Sequence, residues 1–230
     1  MSNFINNIFG SLKESWESVT SINFVQNLKD IFGQPLGIIA VAAVLIILVV
    51  LVKARKIRFS ANLLAQIGLM VALSTVLDLF KIYKMPQGGS ITLGSMVPII
   101  LMSLWYGAEI GMLTGLVCGI LSLLIGPYVV HPVQLLLDYP LAYLAIGAAG
   151  FFKWNKYFGA VAGISLRFIC HVVSGVVFFY SYAAEAGYSS SLWYSIVYNG
   201  TFLGVDAIIC ILILAALPVQ KLLRSAQKTA

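Results

Sequence analysis

Charge is scarce in this chain. Of its 230 residues only 10% are Asp, Glu, Lys or Arg, against about 25% in an average globular domain, which excludes an ordinary soluble fold. Histidine is scarcer still. His131 and His171 are the only two, too few for an enzyme built on histidine clusters. The three cysteines, Cys118, Cys170 and Cys210, lie in separate apolar blocks, with no CxxC and no Cys/His pairing at ligand spacing. They read as small buried hydrophobes, and no metal site is expected. GxxxxGK[ST], HExxH and GxSxG are all missing, which removes P-loop ATP hydrolysis and the common metalloprotease and hydrolase chemistries. No catalytic residue and no cofactor is assigned.

Apolar residues fill the space that charge leaves. They make up 60% of the chain, with a mean hydropathy of +0.98, and they come in blocks long enough for the roughly 20-residue spans that cross a bilayer. Seven such blocks are expected: 35–52, 61–80, 91–105, 108–125, 132–152, 157–182 and 192–217. Residues 1–34 form a mixed segment with an amphipathic stretch. No cleavable leader is expected, because the first apolar run comes late and lacks a basic stretch just before it.

The net charge of +6 does not point to nucleic acid, because the cations gather at span ends, where they set topology and meet lipid headgroups. Lys53, Arg55, Lys56 and Arg58, then Lys153 and Lys156, then Lys221, Arg224 and Lys228 fall on one side of a seven-span arrangement. The positive-inside rule makes that side, and the C-terminus, cytoplasmic. Lys81 and Lys84 fall on the other side and count against this; the remaining outer connections, 126–131 and 183–191, hold no Lys or Arg.

Polar groups at membrane depth are costly, so they face a bundle interior or an aqueous cavity. Asp138, in "HPVQLLLDYPLAY", shares a helical stripe with Gln134 and with the small Ala142, and Pro140 invites a kink beside it. It reads as a ligand-facing carboxylate; the alternatives are a structural ion pair, with Arg167 as the partner, and a neutral buried acid. His171 lies four residues after Arg167 and reads either as a ligand contact or as a helix-to-helix hydrogen bond. "SLWYSIVYNGTF" brings Trp193, Tyr194, Tyr198 and Asn199 together. An interfacial aromatic belt explains the rings but not the amide. Ring faces beside a carboxylate suit an organic cation. Asp78, Glu109 and Asp206 take a structural reading. Gly68 and Ala72 form a small-xxx-small pair that would let another helix approach closely.

The stretches "MPQGGSITLGSMVPI", "HPVQLLLDYPLAY" and "SIVYNG" together resemble the thiamine-specific substrate-binding subunits (S components) of energy-coupling-factor (ECF) vitamin transporters. The resemblance covers roughly residues 58–222. It implies an all-α integral membrane protein: a six-helix substrate-binding core at 58–222, preceded by the segment 1–34 and an extra transmembrane helix with its basic linker at 35–57, and followed by a tail at 223–230. It also implies a multi-pass protein of the bacterial plasma membrane that is no enzyme. Such a subunit captures thiamine from outside and releases it inward after docking on a transmembrane coupling subunit driven by two ATP-binding subunits.

Carried over by position, the family's binding carboxylate falls on Asp138, its histidine on His171, a stacking aromatic on Phe179, and the Tyr and Asn of the last helix on Tyr194 and Asn199. Tyr139 is a further carry-over. Gly68 and Ala72 match the surface that meets the coupling subunit. Some members place a Trp over the ligand from the first long loop; here the aligned place is near Gly88, so closure would fall to backbone or to Tyr83. An S component for another small vitamin or precursor, an intramembrane enzyme using Asp138 and His171 as acid and base, and a purely structural scaffold are the competing readings.

Overall fold

The computed structural model describes residues 59–222 continuously, with scattered positions among the first 58. The expected N-terminal segment, the extra span at 35–52 and the tail at 223–230 lie outside the continuously described residues.

Helix α1 (Ala61–Leu79) starts where the Ser60 hydroxyl accepts the Leu63 N–H at 3.1 Å, satisfying one of the donors that a helix start leaves free. An antiparallel hairpin follows, β1 (Lys81–Lys84) and β2 (Ser90–Thr92). Its turn needs left-handed backbone at Gln87 (φ 57°) and Gly88 (φ 89°). Then come α2 (Val97–Tyr106), α3 (Ala108–Ile125), α4 (Pro132–Phe152), α5 (Lys156–Phe178), the short α6 (Tyr180–Glu185) and α7 (Ser191–Ala216). Gly107, at φ 104°, makes the abrupt turn between α2 and α3.

Five of these helices, α1, α3, α4, α5 and α7, are long and apolar enough to cross a bilayer. With little sheet beside them, the fold is all-α and membrane-embedded. At about 1.5 Å per residue, ten-residue α2 reaches about 15 Å, half of a hydrocarbon core. It needs no more, because it is enclosed: every residue from Val97 to Trp105 is buried. Non-helical backbone at membrane depth is tolerated only inside protein. The stretch leading into α2 meets that condition, with Ser95 and Met96 fully buried and Ser74 Oγ donating to the Ser95 carbonyl at 2.7 Å.

Two boundaries differ from the sequence expectation. The third apolar block was expected to span from 91, yet Ile91 and Thr92 belong to β2 and the helix starts at Val97. The sixth was expected to continue to 182, yet it turns at Phe179 (φ −117°, ψ 20°). That turn seats the Phe179 ring between Tyr128 and Tyr182, with centroids at 6.0 and 5.8 Å.

Helix α4 is composite. His131 caps it by accepting the Val133 N–H at 3.1 Å, and Pro132 occupies the first turn, where no N–H is needed. Its middle, Leu137–Leu141, is a π turn containing Pro140. Proline has no N–H to donate and its ring crowds the carbonyl four residues back, so the wider turn relieves the clash. The expected bend is therefore a π turn, and Asp138 and Tyr139 sit in it.

Helices α3, α4 and α5 touch through their backbones. A methyl group at Gly119 would stand 2.7 Å from the Tyr139 carbonyl oxygen, and one at Gly163 would stand 2.5 Å from that of Ile146. Large apolar side chains on the far faces are exposed: Leu64, Leu69 and Leu73 on α1, Ile169 and Val173 on α5, Ile208 and Leu212 on α7. In a bilayer these faces meet lipid.

Candidate functional site

At the end of the bundle where the hairpin, loop 126–131 and α6 meet, the helices part around a cavity of about 110 Å³. All six residues expected to bind ligand, Asp138, Tyr139, His171, Phe179, Tyr194 and Asn199, line it. They come from the π turn of α4, from α5 and the turn after it, and from α7.

Asp138 is held by three neutral donors. Its Oδ2 accepts from Gln134 Nε2 at 2.7 Å and from Ser174 Oγ at 2.9 Å, and its Oδ1 lies 3.0 Å from His171 Nδ1. The histidine tautomer follows from its other side. Arg167 can only donate, and its Nε–H points at His171 Nε2 from 3.3 Å. Nε2 is therefore the acceptor, Nδ1 carries the proton, and the ring donates to Asp138 as a neutral imidazole. Arg167 is buried over the Tyr143 ring, with its guanidinium carbon 4.3 Å from the centroid. The direct Asp138–Arg167 ion pair weighed from sequence is not formed. Asp138 is hydrogen-bonded by these three side chains and stays partly open to the cavity.

Aromatic side chains supply much of the rest. Tyr194 and Tyr198 stack with centroids 5.8 Å apart, Tyr198 meets Phe202 at 5.9 Å, and Phe202 meets His171 edge-on at 6.0 Å. Asn199 Nδ2 donates to the Ser195 carbonyl at 2.9 Å and to its hydroxyl at 3.1 Å, fixing the amide's orientation on the cavity wall. Tyr139 turns its hydroxyl outward to accept the Tyr128 N–H at 2.6 Å. Tyr128 bonds the Tyr182 hydroxyl at 3.1 Å, and that bond pushes the Tyr128 phenol up to about 12, so it stays neutral at the mouth.

The hairpin roofs the cavity with Gln87, Gly88, Gly89 and Ser90. Tyr198 holds it, donating to the Pro86 carbonyl and accepting the Gly89 N–H at 3.1 Å. Roofing by backbone was one of two expectations. The other, Tyr83, is 57% exposed and takes no part in the lining. Trp193 is also turned outward, at 61% exposure, despite adjoining Tyr194.

Two further carboxylates, given a structural reading from the sequence, stand in the cavity wall. Asp206 is buried and accepts the Thr92 N–H at 2.8 Å, tying β2 to α7. Asp78 accepts from Tyr143 at 3.0 Å and Ser122 at 3.2 Å. Both were read as structural; they are hydrogen-bonded as that reading requires, yet both also line the cavity. Their position inside apolar spans was the available signal. Gly68 and Ala72 lie elsewhere, exposed on α1, with nothing within 4 Å of a methyl group built on Gly68.

The chain matches the family model described as thiamine transporter protein (Thia_YuaJ) over residues 64–225. The thiamine transporter ThiT of Bacillus subtilis (strain 168) is 37% identical over 174 residues, covering 67% of this chain and 88% of that protein. The thiamine transporter ThiT of Lacticaseibacillus paracasei is 28% identical over 126 residues, 46% of this chain and 61% of that protein. The solved structure of ThiT from Listeria monocytogenes shares the fold, with a TM-score of 0.59 at 24% identity, over 72% of this chain and 95% of that one. A polar, aromatic-lined cavity in a bundle of apolar helices, matched along most of its length by this family model, identifies the chain as a multi-pass membrane member of the thiamine transporter family, whose named relatives are transporters and not enzymes.

Proposed function

We propose that this protein binds thiamine in the cavity beside Asp138, as the substrate-capturing S component of an ECF importer. The observation that carries the reading is the carboxylate itself: Asp138 is held by Gln134, Ser174 and a neutral His171, with no cation on it. A buried charge left to dipoles gains most from a ligand cation. Thiamine carries a permanent positive charge on one of two aromatic rings, and ring faces beside a carboxylate attract such a cation. Family membership and the names of the relatives support the same ligand.

On this reading thiamine enters from outside, past the hairpin and loop 126–131, and the C-terminus is cytoplasmic, as the Lys and Arg distribution favours. The chemistry is capture and release. Energy comes from a coupling subunit with two ATP-binding subunits, docking on the exposed α1 face at Gly68 and Ala72, where small side chains leave room for a helix.

Calorimetric titration of the purified protein tests the ligand. Thiamine is expected to bind, its pyrimidine and thiazole halves to compete weakly, and riboflavin and biotin not at all. Preference for riboflavin or biotin would assign the cavity to another vitamin.

A further inference from the structure

Gln134 is 1% exposed and spends its whole hydrogen-bonding capacity inside the site. Its Nε2 donates to Asp138 Oδ2 at 2.7 Å and to the Tyr128 carbonyl at 3.0 Å. Its Oε1 accepts the N–H of Val130 at 3.1 Å and of His131 at 3.5 Å. An amide has two N–H donors and two lone pairs on oxygen, so all four are used. The amide can point only one way. A flip would set its oxygen against a carbonyl and a carboxylate, and its NH₂ against two N–H groups. Glu lacks the donors, and Met lacks both functions.

The two ends of this amide serve different parts of the cavity. One end orients the carboxylate. The other holds loop 126–131, whose Tyr128 stacks on Phe179 and bonds Tyr182. Tyr128 also packs against the hairpin, where a methyl group on Gly88 would stand 2.9 Å from the Tyr128 Cβ. The wall and the countercharge thus share one joint. A second anchor on the same loop, Tyr128 N–H to Tyr139 hydroxyl, does not touch Asp138.

We infer that Gln134 is a positioning residue: it sets the Asp138 carboxylate toward the ligand cation and locks loop 126–131 in register with it. The inference rests on the thiamine reading above. Its signature is selectivity by ligand charge. Loosening the loop weakens every ligand alike, whereas misplacing Asp138 weakens a cation more than a neutral molecule.

The test compares thiamine with its uncharged pyrimidine half, 4-amino-5-hydroxymethyl-2-methylpyrimidine, by calorimetry on the full chain. Gln134→Met is expected to weaken thiamine binding by about tenfold or more and the pyrimidine half by about threefold or less, as loss of a hydrogen bond to a charged group implies. Tyr139→Phe, which removes the loop anchor and leaves every donor to Asp138 in place, is expected to weaken both by the same factor. If thermal melting shows Gln134→Met to be unfolded, Gln134→Asn, whose amide is one methylene shorter, carries the same comparison. Equal losses for both ligands in the Gln134 variant, or no loss, overturn the assignment of Gln134 alone. A wild-type protein that binds neither compound overturns the thiamine reading, and this assignment with it.

Discussion

His171 stands between Asp138 and Arg167. Its Nδ1–H meets the carboxylate at 3.0 Å and its Nε2 receives the Arg167 Nε–H at 3.3 Å. A single ring thereby stands between a fixed cation and the carboxylate that the proposed function gives to the ligand cation. The arginine is held back further by the Tyr143 face beneath it.

Removing the spacer should expose the competition. His171→Ala is expected to let Arg167 approach Asp138 and to lower thiamine affinity by about tenfold or more, in line with a lost hydrogen bond to a charged group. The uncharged pyrimidine half should lose less. Adding Arg167→Met in that background should recover part of the loss, because the competing cation is gone. Calorimetric titration of the three proteins with both ligands checks this.

The hairpin hangs on Asp206, which accepts both the N–H and the hydroxyl of Thr92. Asp206→Leu strands a buried N–H and should cost about 1–3 kcal/mol of stability, read as a lower melting temperature in detergent. The freed roof should also release bound ligand several-fold faster, read by isotope chase of bound thiamine.

Gly119→Ala tests the backbone contact behind the π turn. The added methyl group would lie 2.7 Å from the Tyr139 carbonyl oxygen and 2.9 Å from Pro140 Cα, so α3 and α4 must separate beside Asp138. Overpacking of this kind costs about 1–3 kcal/mol. Melting temperature and thiamine affinity are both expected to fall. Gly204→Ala, exposed on α7 outside the cavity lining with nothing within 4 Å, is the control for adding a methyl group to a glycine.

The docking role proposed for the α1 face is tested by separating binding from transport. Gly68→Leu with Ala72→Leu places bulk on an exposed face outside the cavity lining. Thiamine affinity should be unchanged, while thiamine uptake by cells and co-purification of the coupling subunit should be lost. Uptake at the wild-type rate would move the docking surface elsewhere.

Much of the site was legible because charge and amides are conspicuous in apolar helices. Asp138, His171 and Asn199 stand out wherever hydrocarbon is expected, and the stripe Gln134–Asp138 follows from helical spacing alone. Asp78 and Asp206 stand out equally, but their place in the cavity wall depends on Tyr143 and Ser122 and on the hairpin, which no local pattern reveals. The hairpin itself was hidden by brevity. Its strands hold four and three residues, too few for an alternating pattern to declare itself, and Ile91 and Thr92 merged with the apolar run that follows. The turn at Phe179 carries neither Gly nor Pro, so nothing in its local composition breaks the helix; it is set by the ring packing between Tyr128 and Tyr182. Gly119 and Gly163 read as ordinary membrane glycines until neighbouring carbonyls are seen against them.

The most direct measurement is thiamine binding by Asp138→Asn, a change that keeps the side chain's size and removes its charge. Calorimetry on the purified, folded variant is expected to show affinity lower than wild type by about 100-fold, the consequence of losing a buried countercharge, with the uncharged pyrimidine half affected far less. Thiamine bound within a few-fold of the wild-type affinity would contradict the role given to Asp138.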